Sequence, residues 1–533
     1  MNCNLKNKLK TTAAGIALAT GMILPATAFA DIVTLRSTDG TINVTGEFID
    51  FAEDTYILRT ALGDLRIAAS SVVCEGDACP SFDNVIADVA IAGSPAMAQG
   101  LMPLLMQGFA ASMDADAEIN NTAAGESVAT LWSDGGFGDE IGSYQVSASS
   151  DTQAFQALLE GNSQIGMSSR RITVDEARAL RADGAGSMVS PQQEHIIAVD
   201  SMIVVTHPSN PVGELTRDEL AGIFSGQITN WSEVGGIDKD INVITQPAGS
   251  ASYEFFMDYV YGDQRPTNFL PQGIAADDQV LSNTMFHDVN GIGYLGFAFQ
   301  RGSKAISVVN ECGIATTPDE FSAKTEEYEL ARRMYLYNRT DNLDDSSQML
   351  INFVNSGEAD GVIGKSGFID LGIVRRSQGA EDARRAALVE EAARYDVGFE
   401  GEVMREMLDM MDDKDRLSTT FRFRTGSSNL DERGRLDLQR LVSYLERVPA
   451  GTTVTMVGFT DDVGAFEANR RLAEDRARQV ADEIRAIGGD RLANVQLATA
   501  GFGEVAPSAC NTSDRGRGIN RRVEVWISNS IEG

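Results

Sequence analysis

Histidine is nearly missing from this chain of 533 residues: there are three, His195, His207 and His287, and they stand apart with no nucleophile motif beside them. Cysteine is almost as scarce, with five. Cys74 and Cys79 share a CEGDAC loop, but no second cysteine pair or histidine cluster completes a tetrahedral metal site. No G-x-S-x-G elbow occurs, and the serines fall at helix-cap positions instead. Beyond the first 30 residues nothing approaches the ~20 apolar residues of a membrane-crossing helix. The long alternating strands of an outer-membrane barrel are missing too. Basic residues are few: 44 Lys and Arg stand against 77 Asp and Glu, a formal charge of −33. Nucleic acid requires clustered cations, so no nucleic-acid partner is expected. Nothing here indicates an enzyme or a cofactor.

What is present begins with a processing signal over residues 1–30. Lys6, Lys8 and Lys10 form a basic start, residues 13–24 are small and apolar, and Ala28-Phe29-Ala30 fits the small-x-small cleavage rule. The mature chain is expected to start at Asp31, in an oxidising periplasm. Cys3 lies too early to carry a lipid anchor. A local disulfide between Cys74 and Cys79 follows from that compartment. Cys312 and Cys510 lie in different expected domains, where they either pair across an interface or stay buried and free.

Charge marks a boundary. Residues 31–415 carry about 24 basic and 61 acidic side chains; residues 416–533 carry about 17 and 16, every base an Arg. The acidic part reads as a solvated surface. Within it, residues 31–80 alternate apolar and polar positions with turns at Asp39-Gly40 and Gly63-Asp64, a small all-β, barrel-like domain of four or five strands. Residues 84–376 alternate short strands with helices, as an α/β fold does. Residues 377–415 have a helical pattern and are expected to form a linker. Residues 416–533 read as a compact α/β domain closed by the strand RRVEVWI.

In the α/β region four small hydroxyl-rich turns follow strands: Gly93-Ser94-Pro95, Ser147–Asp151, Gly166–Arg171 and Gly249–Ser252. Helix N-termini expose N–H groups and partial positive charge, so several on one cleft make an anion site. The order of these turns, with GNSQIGMSSRRIT, LTRDELAGIFSGQITNWSEVGG, NGIGYLGFA and RRMYLYNRTDN, resembles the phosphate-binding, PstS-like solute-binding proteins of ABC transporters. That resemblance covers about 290 residues. It implies a two-lobed periplasmic binding protein fold of type II closing on an oxyanion such as phosphate. By position it assigns Ser94 to the first loop and Ser149 and Ser150 to the second. Ser169 and Arg170 fall in the third, Ser250 and Ser252 in the fourth. The fourth loop of that family reads Arg-x-Asp-Gly-Ser-Gly-Thr; here Gln246 and Ala248 replace the Arg and the Asp. Ser169 stands where some members place an acid.

Near the C-terminus VTMVGFTDDVGAFEANRRLAEDRAR runs from a strand ending at Thr460-Asp461 into a helix carrying Asn469 and Arg476. One acid and one guanidinium so placed could hold a small zwitterion. With Gly464, Leu472, Ala477 and Asn520-Arg521-Arg522 in register, the segment resembles the OmpA-like peptidoglycan-binding domain. The resemblance implies that Asp461 accepts from the ammonium of a diaminopimelate stem peptide, Arg476 forks onto its carboxylate and Asn469 braces the loop. Phe421-Arg422-Phe423-Arg424 replaces a common Phe-Asp-Phe-Asp ahead of the turn at Thr425 and Gly426.

The expectation is a multidomain protein of the Gram-negative cell envelope. It binds phosphate or a similar oxyanion between two lobes and is tethered to peptidoglycan, with an ABC permease and the outer membrane as further expected associations. The alternative is a structural envelope protein whose binding module no longer takes a small ligand. A phosphate-ester hydrolase is a third and weaker reading.

Overall fold

The computed structural model describes residues 32–36, 43–52, 55–60, 63–68, 72–76, 79, 87–123, 126–262, 264–266, 271–377, 383–394, 399–423, 430 and 432–528. The leader at 1–30 and the turn at Thr425 and Gly426 lie outside them. The chain divides into two units, Met1–Ser81 and Phe82–Gly533.

In the first unit, β1 (Ile32–Arg36), β2 (Asn43–Ala52), β3 (Thr55–Thr60), β4 (Gly63–Ala68) and β5 (Val73–Glu75) make an antiparallel sheet of order β4-β3-β2-β1-β5. Alternation buries Val33, Leu35, Tyr56 and Leu58 on one face. Cys74 and Cys79 are joined, as expected.

The second unit begins with one lobe. Its strands are β6 (Val89–Gly93), β7 (Asp116–Ala123), β8 (Glu126–Trp132), β9 (Glu140–Ala148) and β10 (Ile165–Ser168). β10, β6 and β9 run parallel, and β8 and β7 add antiparallel strands at the edge. The helix Met102–Ser112 buries Leu105, Met106 and Phe109 against them. β11 (Glu194–Thr206) is buried along all 13 residues and leads into the second lobe. There lie β12 (Glu214–Thr216), β13 (Asn242–Thr245), β14 (Gly273–Ile274), β15 (Gly291–Gly296), β16 (Lys304–Val309) and β17 (Ala315–Thr316) around a core with Trp231, Phe256 and Tyr294. β18 (Ala331–Asn338) returns antiparallel to β11 and joins β10, so two strands carry the chain between the lobes.

β19 (Arg375–Ser377) already belongs to the C-terminal sheet. With β20 (Lys414–Arg422), β21 (Thr453–Gly458), β22 (Gln496–Gly501) and β23 (Arg522–Ser528) it gives the order β19-β20-β23-β21-β22. The helices Glu432–Leu445 and Phe466–Gly488 contribute Leu438, Leu441, Val480 and Ile484 to the core on one face. The helices Ala383–Arg394 and Phe399–Met411, expected as a linker, bury Leu388, Val403, Met404, Met407 and Met411 against Phe459, Phe502 and Trp526. Their apolar residues recur every three or four positions, which gives each helix a face that must be covered. Cys312 of the second lobe is joined to Cys510 of the C-terminal domain, which decides between the two states left open by the sequence.

Candidate functional site

The parallel order β10-β6-β9 brings three of the four serine turns to one sheet edge, because the C-terminal ends of all three strands lie there. The backbone stitches them together: Ser94 N–H donates to the Met167 carbonyl (3.0 Å) and Ser149 N–H to the Gly93 carbonyl (2.7 Å). Gly93 has φ +142, and a Cβ there would lie 1.9 Å from the Met167 oxygen, so no side chain fits. Ser150 caps the helix Asp151–Glu160, its Oγ accepting from Gln153 N–H at 3.2 Å. Ser94 and Ser169 are buried. Ser169 donates both its N–H (3.0 Å) and its hydroxyl (2.8 Å) to the Asp151 carboxylate.

Arg170, expected to supply charge here, is turned onto Glu176. Its terminal nitrogens donate to both carboxylate oxygens (2.9 and 2.7 Å), a third bond goes to Thr152 Oγ1, and its carbon lies 5.2 Å from the Phe155 ring centre. The bond to Glu176 is the main reason its pKa is raised. Its charge is thereby neutralised beside the turn.

The fourth turn opens the helix Ala251–Tyr261. Ser250 caps it by accepting from Tyr253 N–H, and the buried Ser252 hydroxyl lies 3.5 Å from both terminal nitrogens of Arg332. Arg332, on β18, sits opposite Asp200 on β11 and binds one oxygen of it through Nε (3.1 Å) and Nη2 (2.8 Å). The other Asp200 oxygen accepts from Phe297 N–H, while Gln246 donates to Asp278 at 2.6 Å. Burial pushes the Asp278 carboxyl up to about 6; Arg332 opposes that and Asp200 adds to it. Burial would lower the Arg332 pKa, but the fields of Asp200, Asp278 and Asp151 outweigh it. The guanidinium thus touches the Ser252 turn and feels the field of Asp151 from the other lobe.

In the C-terminal domain Asp461 follows β21. It is buried, and one oxygen accepts from Arg521 Nη1 at 2.7 Å. Asn469 Nδ2 donates to the Asp461 carbonyl at 3.3 Å and also reaches Glu504. Arg476, 1% exposed, donates to the Phe459 carbonyl and stands 5.2 Å from the Phe423 ring centre. Burial, then repulsion from Arg521, depress its pKa to about 10 against the attraction of Asp461. The carboxylate is paired with Arg521, and its field also reaches Arg476.

The sequence profile of the PBP superfamily domain matches residues 83–358, more than half of the chain. The chain belongs to the PBP superfamily. Residues 422–521 match the OmpA family. The phosphate-binding protein PstS of Borreliella burgdorferi is 25% identical over 216 residues, 39% of this chain and 72% of that protein. That of Staphylococcus epidermidis is 26% identical over 202 residues, 37% of this chain, and the match spans only 59% of its own length. A solved phosphate ABC transporter substrate-binding protein from Clostridium perfringens aligns over 53% of this chain and 98% of its own, with 22% identity and a TM-score of 0.40. A PstS-like PBP domain is therefore fused to an OmpA-family domain in one polypeptide.

Arg332, Asp200 and Asp278 of the PBP domain were not among the expected site residues. Arg332 lies in the quoted RRMYLYN stretch, but its partner Asp200 is 132 residues away. Arg521 was quoted in the Asn520-Arg521-Arg522 triplet and given no role. Its neighbours in that triplet turn elsewhere: Asn520 binds the 508–509 backbone and Arg522 binds Glu524.

Proposed function

We propose that this protein binds a small oxyanion, phosphate or a chemically similar species, in the cleft between the lobes of its PBP domain, and that its OmpA-family domain holds it to peptidoglycan in the periplasm. The observation that carries the first half is the stitching of the Ser94, Ser149 and Ser169 turns along one sheet edge, with two helix N-termini on opposite lobes. The PstS relatives support phosphate as the first anion to try. The second half rests on Asp461 paired with Arg521 and acting on Arg476 through its field, a set that matches the ammonium and carboxylate of a diaminopimelate stem. Calorimetric titration of the chain from Asp31 with inorganic phosphate tests the cleft; no heat at millimolar phosphate would count against it. Co-sedimentation with purified sacculi tests the anchor, and Asp461→Ala and Arg476→Ala should each abolish it.

One observation favours a structural role as the second reading. The disulfide Cys312–Cys510 fixes the second lobe to the anchor domain, so the PBP domain is not a freely diffusing receptor once the anchor is engaged. A protein that sediments with sacculi yet binds no oxyanion would fit that reading.

A further inference from the structure

We propose that Arg332, on the strand that returns between the lobes, is the guanidinium that meets the oxyanion in the cleft. This rests on the anion-binding reading above. A buried arginine normally has its five N–H donors satisfied, because an unsatisfied charged donor in low dielectric is costly. Arg332 has a partner at each nitrogen, but two of those contacts are long. Its side chain is 4% exposed; Nε and Nη2 share a single oxygen of Asp200, and among the described residues Nη1 and Nη2 both reach the same Ser252 hydroxyl, at 3.5 Å. Donor capacity remains at the N-terminus of the helix Ala251–Tyr261, where first-turn N–H groups also point. The field of Asp151, which holds the Ser169 turn of the opposite lobe, also acts on Arg332. Arg332 is thus a buried cation at the Ser252 turn, on a strand that joins the lobes.

The placement also explains why the cation is rigid. Asp200 lies directly across the β11–β18 ladder and fixes the guanidinium plane through Nε and Nη2, while its second oxygen holds Phe297 N–H at the end of β15. A Cβ on Gly296 would stand 2.9 Å from an Asp200 oxygen, so the backbone there is shaped to admit the carboxylate. Nη1, with a single long bond to Ser252, is the least committed prong. An oxyanion bound to it is also within reach of Ser252.

The test is titration of the full chain with inorganic phosphate, by calorimetry, for wild type, Arg332→Gln, Arg332→Lys and Arg333→Gln. Arg333 is the adjacent residue on the same strand and pairs with Glu326, so it controls for net charge. Arg332→Gln should weaken phosphate binding about 30- to 100-fold, the usual worth of a charge-assisted hydrogen bond. Arg332→Lys should fall between that and wild type, and Arg333→Gln should bind as wild type. If the orphaned Asp200 prevents Arg332→Gln from folding, the Asp200→Asn/Arg332→Gln pair removes both charges and is titrated instead, after its near-UV circular dichroism is matched to wild type. Wild-type phosphate affinity in that folded pair, or in Arg332→Gln, overturns the proposal and leaves the anion-binding reading standing. Wild-type protein that binds no phosphate overturns both.

Discussion

Arg416 reaches from the C-terminal sheet into the second lobe and donates through both terminal nitrogens to the two carboxylate oxygens of Glu327, at 3.0 and 2.8 Å. Ser508 adds a third bond to Glu327, and Arg416 Nε lies 3.2 Å from Glu524, itself bound by Arg384 and Arg522. Burial alone would raise the Glu327 carboxyl, but Arg416, Arg384 and Arg522 hold it well below the usual range. Its stabilisation is therefore complete above the ordinary glutamate range and is lost as pH falls through the depressed value. Breaking one side of such a pair leaves a buried charge alone. Glu327→Gln should lower stability by about 3–5 kcal/mol, and Glu327→Gln/Arg416→Met should recover most of that. Urea unfolding at neutral pH measures both; equal losses in the single and double variants would refute the coupling.

The same interface is crossed by Cys312–Cys510. Closing a long loop limits the unfolded chain, so Cys312→Ser/Cys510→Ser should lose about 2–4 kcal/mol. It should also separate the calorimetric transitions of the PBP and C-terminal domains. Peptide mapping without reductant should recover residues 312 and 510 in one linked fragment. Free thiols at both positions in protein purified from periplasm would contradict the pairing.

Asp278 gives a pH signature of opposite sign to Glu327. Its carboxyl is raised to about 6, first by burial and then by Asp200, against Arg332; Gln246 and the Gly296 N–H bind it. A raised acid favours the folded state while protonated. The contribution is full below the ordinary aspartate range near pH 4 and is lost as pH rises through about 6. Its span is on the order of 3 kcal/mol. Asp278→Asn keeps an oxygen acceptor for both donors and cannot titrate. Subtracting its stability profile from that of wild type should leave a step between pH 4 and 6, and a flat difference would remove Asp278 from the account.

How much of this was legible in sequence depends on the distance between partners. Asp461, Asn469 and Arg476 belong to one strand–loop–helix passage, so a local pattern and the family resemblance were enough to group them. Arg521 reaches Asp461 from 60 residues further on, beside the final strand, and only the register of β21 with β23 brings it there. The serine turns could be read because each is a short local motif after a strand, and Ser150 and Ser250 cap the helices that follow. Arg332 could not, since it acquires meaning from Asp200 and Ser252, 132 and 80 residues away, across the two strands that join the lobes. Arg170 is the reverse case. Its diversion was local, because Thr173 and Glu176 form a capping box whose Glu lies six residues from the arginine. The helices expected at 377–415 are present, and their packing was not legible because the stripe of Val403, Met404, Met407 and Met411 meets Phe459, Phe502 and Trp526 from distant parts of the chain.

The geometry around Asp461 depends on one close approach that a single methyl group would spoil. A Cβ on Gly458, the last residue of β21, would stand 1.9 Å from the Ala473 carbonyl in the helix Phe466–Gly488. That contact lies three residues before Asp461 and three before Arg476, so it sets the separation of the carboxylate-bearing loop from the arginine-bearing helix. Gly458→Ala must push strand and helix apart, at a cost of about 1–3 kcal/mol for overpacking. We expect the variant to remain folded, with a lower melting temperature for the C-terminal domain, and to lose co-sedimentation with sacculi while its phosphate titration stays at the wild-type value. Because Gly458 touches no ligand, loss of sacculus binding would trace to the spacing of Asp461 and Arg476. Undiminished sedimentation by a variant with the lowered melting temperature would mean that this spacing does not govern recognition of the wall.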